Sequence, residues 1–85
     1  MITGMQIRLA RTALRWSVST LSDRSEISTS TIKRIEAADG LPISTKANIL
    51  AITSVLEAEG IKFTGTVEDH PGVSVNLAKK RPPGS

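Results

Sequence analysis

Hydroxyl-bearing residues punctuate the first 37 positions of this chain at spacings that leave room only for short helices. Thr3, Ser17 and Ser28 each precede a run with helical character. A Ser or Thr side chain at such a point accepts a hydrogen bond from a free amide of the first turn and so opens a helix. The expected helices run from Gly4 to about Leu14, from Val18 to Arg24, and from Thr29 to about Ala37, with three or four residues between them. In the first, Ile7, Ala10, Arg11 and Leu14 share a face at helical spacing. The second is rich in Ser and β-branched residues, which form helix poorly by themselves, so it must be held by tertiary packing.

Beyond Ala37 the breaker cluster Asp39-Gly40-Leu41-Pro42 predicts a loop. Ser44 is the expected cap of the longest helix, Thr45 to Glu59, with Gly60 where a left-handed C-terminal cap falls. Ile49, Ile52 and Leu56 form its apolar stripe, while Leu50 and Val55 point elsewhere. The period then changes to two in Ile61–Thr64 and Val73–Leu77, predicting a β-hairpin across a loop from Gly65 to Gly72. Residues 79–85, with Lys79-Lys80-Arg81 and Pro82-Pro83-Gly84, contain nothing to bury and read as a disordered basic tail. The expected organisation is a helical domain over 1–60, a hairpin over 61–78 and a tail over 79–85.

Eighty-five residues suffice for one domain. The absence of cysteine excludes disulfides and thiolate metal sites, and His70, the sole histidine, has no second ligand at metal spacing. There is no Gly-rich phosphate loop and no histidine beside a recognisable nucleophile, so neither an enzyme nor a cofactor-binding protein is expected. Arg8, Arg11 and Arg15 interrupt the N-terminal apolar positions. That excludes a signal-peptide pattern, no stretch is suited to spanning a membrane, and the expected location is the cytoplasm. The net charge of +3 is unevenly spread. Residues 1–40 carry six basic against four acidic side chains and 41–78 carry two against four, while the tail adds three basic ones. The N-terminal half and the tail are thus the parts suited to a polyanion.

Within the second and third helices, apolar residues fall at Leu21, Ile27, Ile32 and Ile35, with the small Ser22 and Ser25 between them. Two helices crossing steeply over a tight turn need a small residue at their close approach. They also need an apolar plug in the turn and two apolar residues on the inner face of the second helix. The outer face of that helix is then Thr29, Ser30, Lys33 and Arg34, all hydrogen-bonding and two of them cationic. Such a helix fits the major groove, where Arg can donate two hydrogen bonds to guanine. The same residues would also serve as a merely solvated face; the pattern around them favours the groove.

These stretches, Ile7 to Leu14, Trp16 to Gly40 and Ser44 to Gly60, resemble the phage-repressor/Cro-like (XRE) helix-turn-helix family over about 58 residues. The segment STSTIKRIEA, Ser28 to Ala37, is similar to that family's recognition helix. The resemblance implies a mainly α, lambda-repressor-like four-helix domain, here followed by the hairpin. It implies that Thr29, Ser30, Lys33 and Arg34 read bases, that Ser17, Val18, Ser28 and Thr31 contact phosphates, and that Arg11 and Glu36 form a structural salt bridge. Trp16 is expected as a packing anchor at a helix junction. Glu26 stands where the family usually has Gly and Val18 where it often has Gln. Glu26 would be strained if its φ is positive. The expected activity is sequence-specific binding of duplex DNA by a homodimer, as a transcriptional regulator of repressor type in a prokaryote or phage, at the nucleoid. Leu50, Val55, Ile61, Phe63, Val73 and Val75 are the dimerisation candidates. The alternative is an antitoxin-type protein whose hairpin and tail bind a toxin.

Overall fold

The computed structural model describes residues 1–76; the expected basic tail and Leu77 lie outside them. Four helices come first, α1 (Gly4–Ala13), α2 (Val18–Ser25), α3 (Thr29–Glu36) and α4 (Lys46–Ala58). An antiparallel hairpin, β1 (Ile61–Thr64) and β2 (Gly72–Val75), follows them. Three expected caps are in place. Thr3, Ser17 and Ser28 have extended backbones, and their hydroxyls accept from the amides of Gln6, Thr20 and Thr31. The cap of α4 is Thr45 rather than Ser44. The Thr45 hydroxyl takes the Asn48 amide at 3.1 Å, and Ser44 instead receives the Asn48 side-chain amide at 3.3 Å. Adjacent hydroxyls are equivalent by residue type, and here the helix begins one residue later than expected.

α1 starts under unusual constraint. Gln6 completes a capping box by accepting the Thr3 amide at 2.9 Å through Oε1. Its Nε2 donates to the carbonyls of Thr64 and Gly72, both at 2.9 Å. These two residues are a register pair at the loop end of the hairpin, so one buried side chain ties the first turn of the chain to its last element. Two residues before Gln6, a β-carbon on Gly4 would overlap the carbonyl oxygens of Ile35 and Ala38. Only glycine lets α1 approach the end of α3 this closely. The Gly4 amide donates to Gly40 at 2.9 Å, tying down the loop that follows α3.

The core is one cluster of Ile7, Ala10, Leu14, Leu21, Ile32, Ile35, Ile52, Leu56 and Ile61. Every helix contributes to it, and Ile52 and Leu56 realise the α4 stripe, with Ile49 half-buried beside them. The hairpin register pairs Ile61 with Val75, Lys62 with Ser74, Phe63 with Val73 and Thr64 with Gly72. β2 therefore begins one residue before the expected Val73 and ends at Val75. Gly60, at φ 97°, makes the left-handed exit from α4. Among the described residues no helix is long and apolar enough to cross a membrane.

Candidate nucleic-acid interface

The junction between α2 and α3 is built from short-range side-chain bonds. Ser25, buried, donates its hydroxyl to the Leu21 carbonyl at 2.7 Å and accepts the Ile27 amide at 3.3 Å. Ser22 donates to the Ile27 carbonyl at 2.6 Å. Both peptide groups of Ile27 are thereby satisfied by the two small residues of α2. The Ile27 side chain, half-buried, packs against the core. Glu26 ends α2 in the left-handed region, φ 61° and ψ 25°, with its amide on the Ser22 carbonyl at 2.8 Å. The strain expected of a non-glycine residue there is present.

α3 has two chemically opposite faces. Inward, Ile32 and Ile35 are fully buried and Glu36 is nearly so. Outward, Thr29, Ser30, Lys33 and Arg34 are exposed. Glu36 is the sole acid of α3, and it is turned inward onto Arg11. Its Oε2 accepts from Nε at 2.7 Å and its Oε1 from Nη2 at 2.8 Å. This two-bond fork fits carboxylate to guanidinium and is strong for an ion pair. Hydrogen bonding to Glu36 holds the Arg11 pKa above its ordinary value, against the opposing effect of burial. The remaining Arg11 nitrogen, Nη1, donates to the Trp16 carbonyl at 2.8 Å, locking the α1–α2 connection. The pair is therefore present, in the place that the resemblance implied. Arg8 adds a bond from Nη1 to the Glu36 carbonyl at 2.8 Å and a longer contact to Asp39 at 3.6 Å.

Among the described residues neither Lys33 nor Arg34 takes part in an ion pair. With Glu36 neutralised inside, the exposed face of α3 carries two uncompensated cations. At its N-terminal end the Ser28 hydroxyl lies 2.9 Å from the Thr31 hydroxyl and 3.3 Å from that of Ser30. Hydroxyls, free amides of the first turn and cations thus occur together on one short helix. That combination suits anionic oxygens and the acceptor-rich edges of base pairs.

The other expected phosphate contacts stand at the start of α2. Ser17 is exposed, and its hydroxyl meets the Thr20 amide and hydroxyl, both at 3.0 Å, as that of Ser28 meets those of Thr31. Val18 packs its side chain against the core, which leaves only its backbone for a ligand. Trp16 is half-buried against the core, as expected of a packing anchor. Arg24 lies over its ring, 5.1 Å from the centroid. This cation–π contact ties the far end of α2 to the α1–α2 connection, where Arg15 stands in the left-handed region at φ 58°.

The dimerisation candidates divide. Leu50 is 63% exposed and Val75 37%. Val55, Phe63 and Val73 are half-buried and pack on the core. Ile61 is a core residue at 4% exposure and has no free surface to offer a partner. A two-residue alternation does not specify which side of the strand meets the helices, and here Ile61 does. His70 meets Asp69 at 2.6 Å on the surface. Among the described residues no three metal-binding side chains come together. No protein-family model matches the chain, and no curated protein or solved structure matches it either.

Proposed function

We propose that this chain is a sequence-specific duplex-DNA-binding transcriptional regulator, with a lambda-repressor-like helix-turn-helix domain that acts as a dimer on an inverted repeat. The observation that carries this reading is the division of α3. Its apolar residues and its one acid are buried, and Thr29, Ser30, Lys33 and Arg34 stand outside. Arg34 donates two hydrogen bonds to a guanine edge, Thr29 and Ser30 read or flank neighbouring bases, and Lys33 reads a base edge or meets phosphate. Ser28, Thr31 and the first-turn amides hold the backbone of the duplex, with the α2 start at Ser17 and Val18 as a second grip. A single helix reads only a few base pairs, so two half-sites about 34–36 Å apart supply the specificity. No catalytic step and no cofactor enters this mechanism.

The test is selection of bound duplexes from a random or genomic pool, followed by titration of the selected site by fluorescence anisotropy. Arg34→Ala is expected to weaken binding to that site by about 1–3 kcal/mol, the range for a lost bidentate base contact. Its binding to unrelated duplex should change far less. Affinity is expected to fall steeply with salt, as for any complex that displaces counterions from phosphates. Binding indifferent to joint replacement of Thr29, Ser30 and Arg34 would remove the basis of the proposal.

A further inference from the structure

We infer that the loop from Asp39 to Thr45 and the first two turns of α4 form the surface on which a second copy of this chain docks; the inference deepens the dimer of the proposed function and rests on it. Large apolar side chains are left exposed at six described positions, and four of them gather here. Met1, Leu41 and Leu50 line a groove of about 310 Å³ with Ile2, Pro42 and Ile49. Ile43, 86% exposed, projects from the same loop between Pro42 and Ser44, both of which line the groove. Every buried side-chain polar atom among the described residues has a partner. The groove is lined chiefly by apolar side chains, with Ser44, Lys46 and Thr53 as its polar members, so apolar contact is the main means of recognising its occupant.

Three features favour a second copy as that occupant. First, a knob and a hole lie side by side on one surface. A twofold axis through such a surface seats the Ile43 of each copy in the groove of the other, which is the self-complementarity an isologous contact requires. Second, the loop begins at Asp39, whose side chain is 88% exposed, and leads into α4 at Lys46, also exposed. Asp39 and Lys46 give this surface side chains of both signs, Asp39 lying also 3.6 Å from Arg8 of its own chain, and a twofold brings the Asp39 of one copy toward the Lys46 of the other. The outer face of α3, with Lys33 and Arg34, would repel its own image. Third, exposed apolar patches on stable monomers reach about 300–600 Å², and a standard interface buries about 800 Å² per partner. Four large exposed side chains supply the apolar centre of such an interface, and Asp39, Ser44, Thr45 and Lys46 supply its polar rim.

The experiment is sedimentation velocity on the full chain over a concentration series, without DNA. The wild type is expected to sediment as a dimer at the upper concentrations. Ile43→Glu and Leu50→Glu are each expected to weaken self-association by about tenfold or more. Both side chains are exposed, so the helical circular dichroism and unfolding of the monomer should stay as in the wild type; that measurement shows that a lost dimer is not a lost fold. Val75→Glu, on the hairpin, is the control and should leave association intact. A wild type that is monomeric throughout overturns the inference, as does association insensitive to both α4-side variants or abolished only by Val75→Glu. The two proposals fail separately. A monomer that still binds a half-site through Arg34 sinks the docking surface alone, whereas a dimer that both variants weaken but that has no affinity for duplex sinks the DNA reading.

Discussion

The inner and outer faces of α3 differ in what their charges are for. On the inside, Glu36 accepts three hydrogen bonds from two arginines within one network. Arg11 forks onto its carboxylate, Arg8 takes its carbonyl, and Arg11 reaches on to Trp16. On the outside, Lys33 and Arg34, two or three residues away in sequence, have no ionic partner among the described residues. The contrast separates, on a helix of eight residues, the charges that hold the fold from those to which the proposed function assigns recognition. Inner charges are fixed by folding and unavailable to a ligand; outer charges contribute little to folding and stay free to meet one.

The sharpest way to break that contrast is to remove one charge from each face and measure stability by urea denaturation. Arg11→Ala strands the Glu36 carboxylate, 7% exposed, without its counter-ion. Loss of one partner from a buried pair costs about 3–5 kcal/mol. Lys33→Ala and Arg34→Ala are expected to stay within about 0.5 kcal/mol of the wild type, as surface substitutions do. If either outer variant approached the cost of the inner one, the two faces would not be the separate devices described above.

A smaller loss is expected at the base of the same arrangement. Gly4→Ala would push a methyl group against the Ile35 and Ala38 carbonyls, just where α1 meets the end of α3. Overpacking of this kind costs about 1–3 kcal/mol. Because Arg8 and Arg11 leave α1 to reach Glu36, displacement of α1 should also loosen the ion pair. Arg11→Ala and Gly4→Ala combined should then cost less than the sum of their separate effects. Thermal unfolding of the two single variants and the double variant checks this, and strict additivity would disconnect the two features.

The same two faces explain what the sequence made legible. Caps at Thr3, Ser17 and Ser28, the inward Leu21, Ile32 and Ile35, and the outward Thr29, Ser30, Lys33 and Arg34 all follow from local spacing and side-chain chemistry. The strain at Glu26 was visible for the same reason, since a tight turn and a missing glycine are both local. Gln6 and Gly4 were not legible. Their roles depend on the hairpin, 58 and 66 residues away, and on the α3 carbonyls, contacts that no periodicity encodes. The burial of Ile61 and the stacking of Arg24 on Trp16 escaped similarly, because each depends on the direction in which a turn sends the chain. The choice of Thr45 over Ser44 was lost to chemical degeneracy. It can be recovered experimentally: Thr45→Ala should cost about 1 kcal/mol, the usual worth of an N-cap, and Ser44→Ala clearly less.

The last expected effect lies at the turn, and it has the opposite sign. Glu26 occupies the left-handed region at φ 61°, where a side chain costs about 1–2 kcal/mol that glycine avoids. Glycine also gives the unfolded chain more freedom, which offsets part of that gain. Glu26→Gly should therefore stabilise the protein by about 0.5–1 kcal/mol, read as a higher urea midpoint with an unchanged slope. The Glu26 side chain is exposed and makes no ion pair among the described residues, so no other interaction is lost with it. The turn geometry is already fixed by Ser22 and Ser25 on the Ile27 peptide groups, and the outer face of α3 should keep its orientation. A Glu26→Gly protein that gained stability yet lost affinity for its selected duplex would show that Glu26 does more than bend the chain. Unchanged affinity would agree with the proposal that recognition rests on the exposed residues of α3.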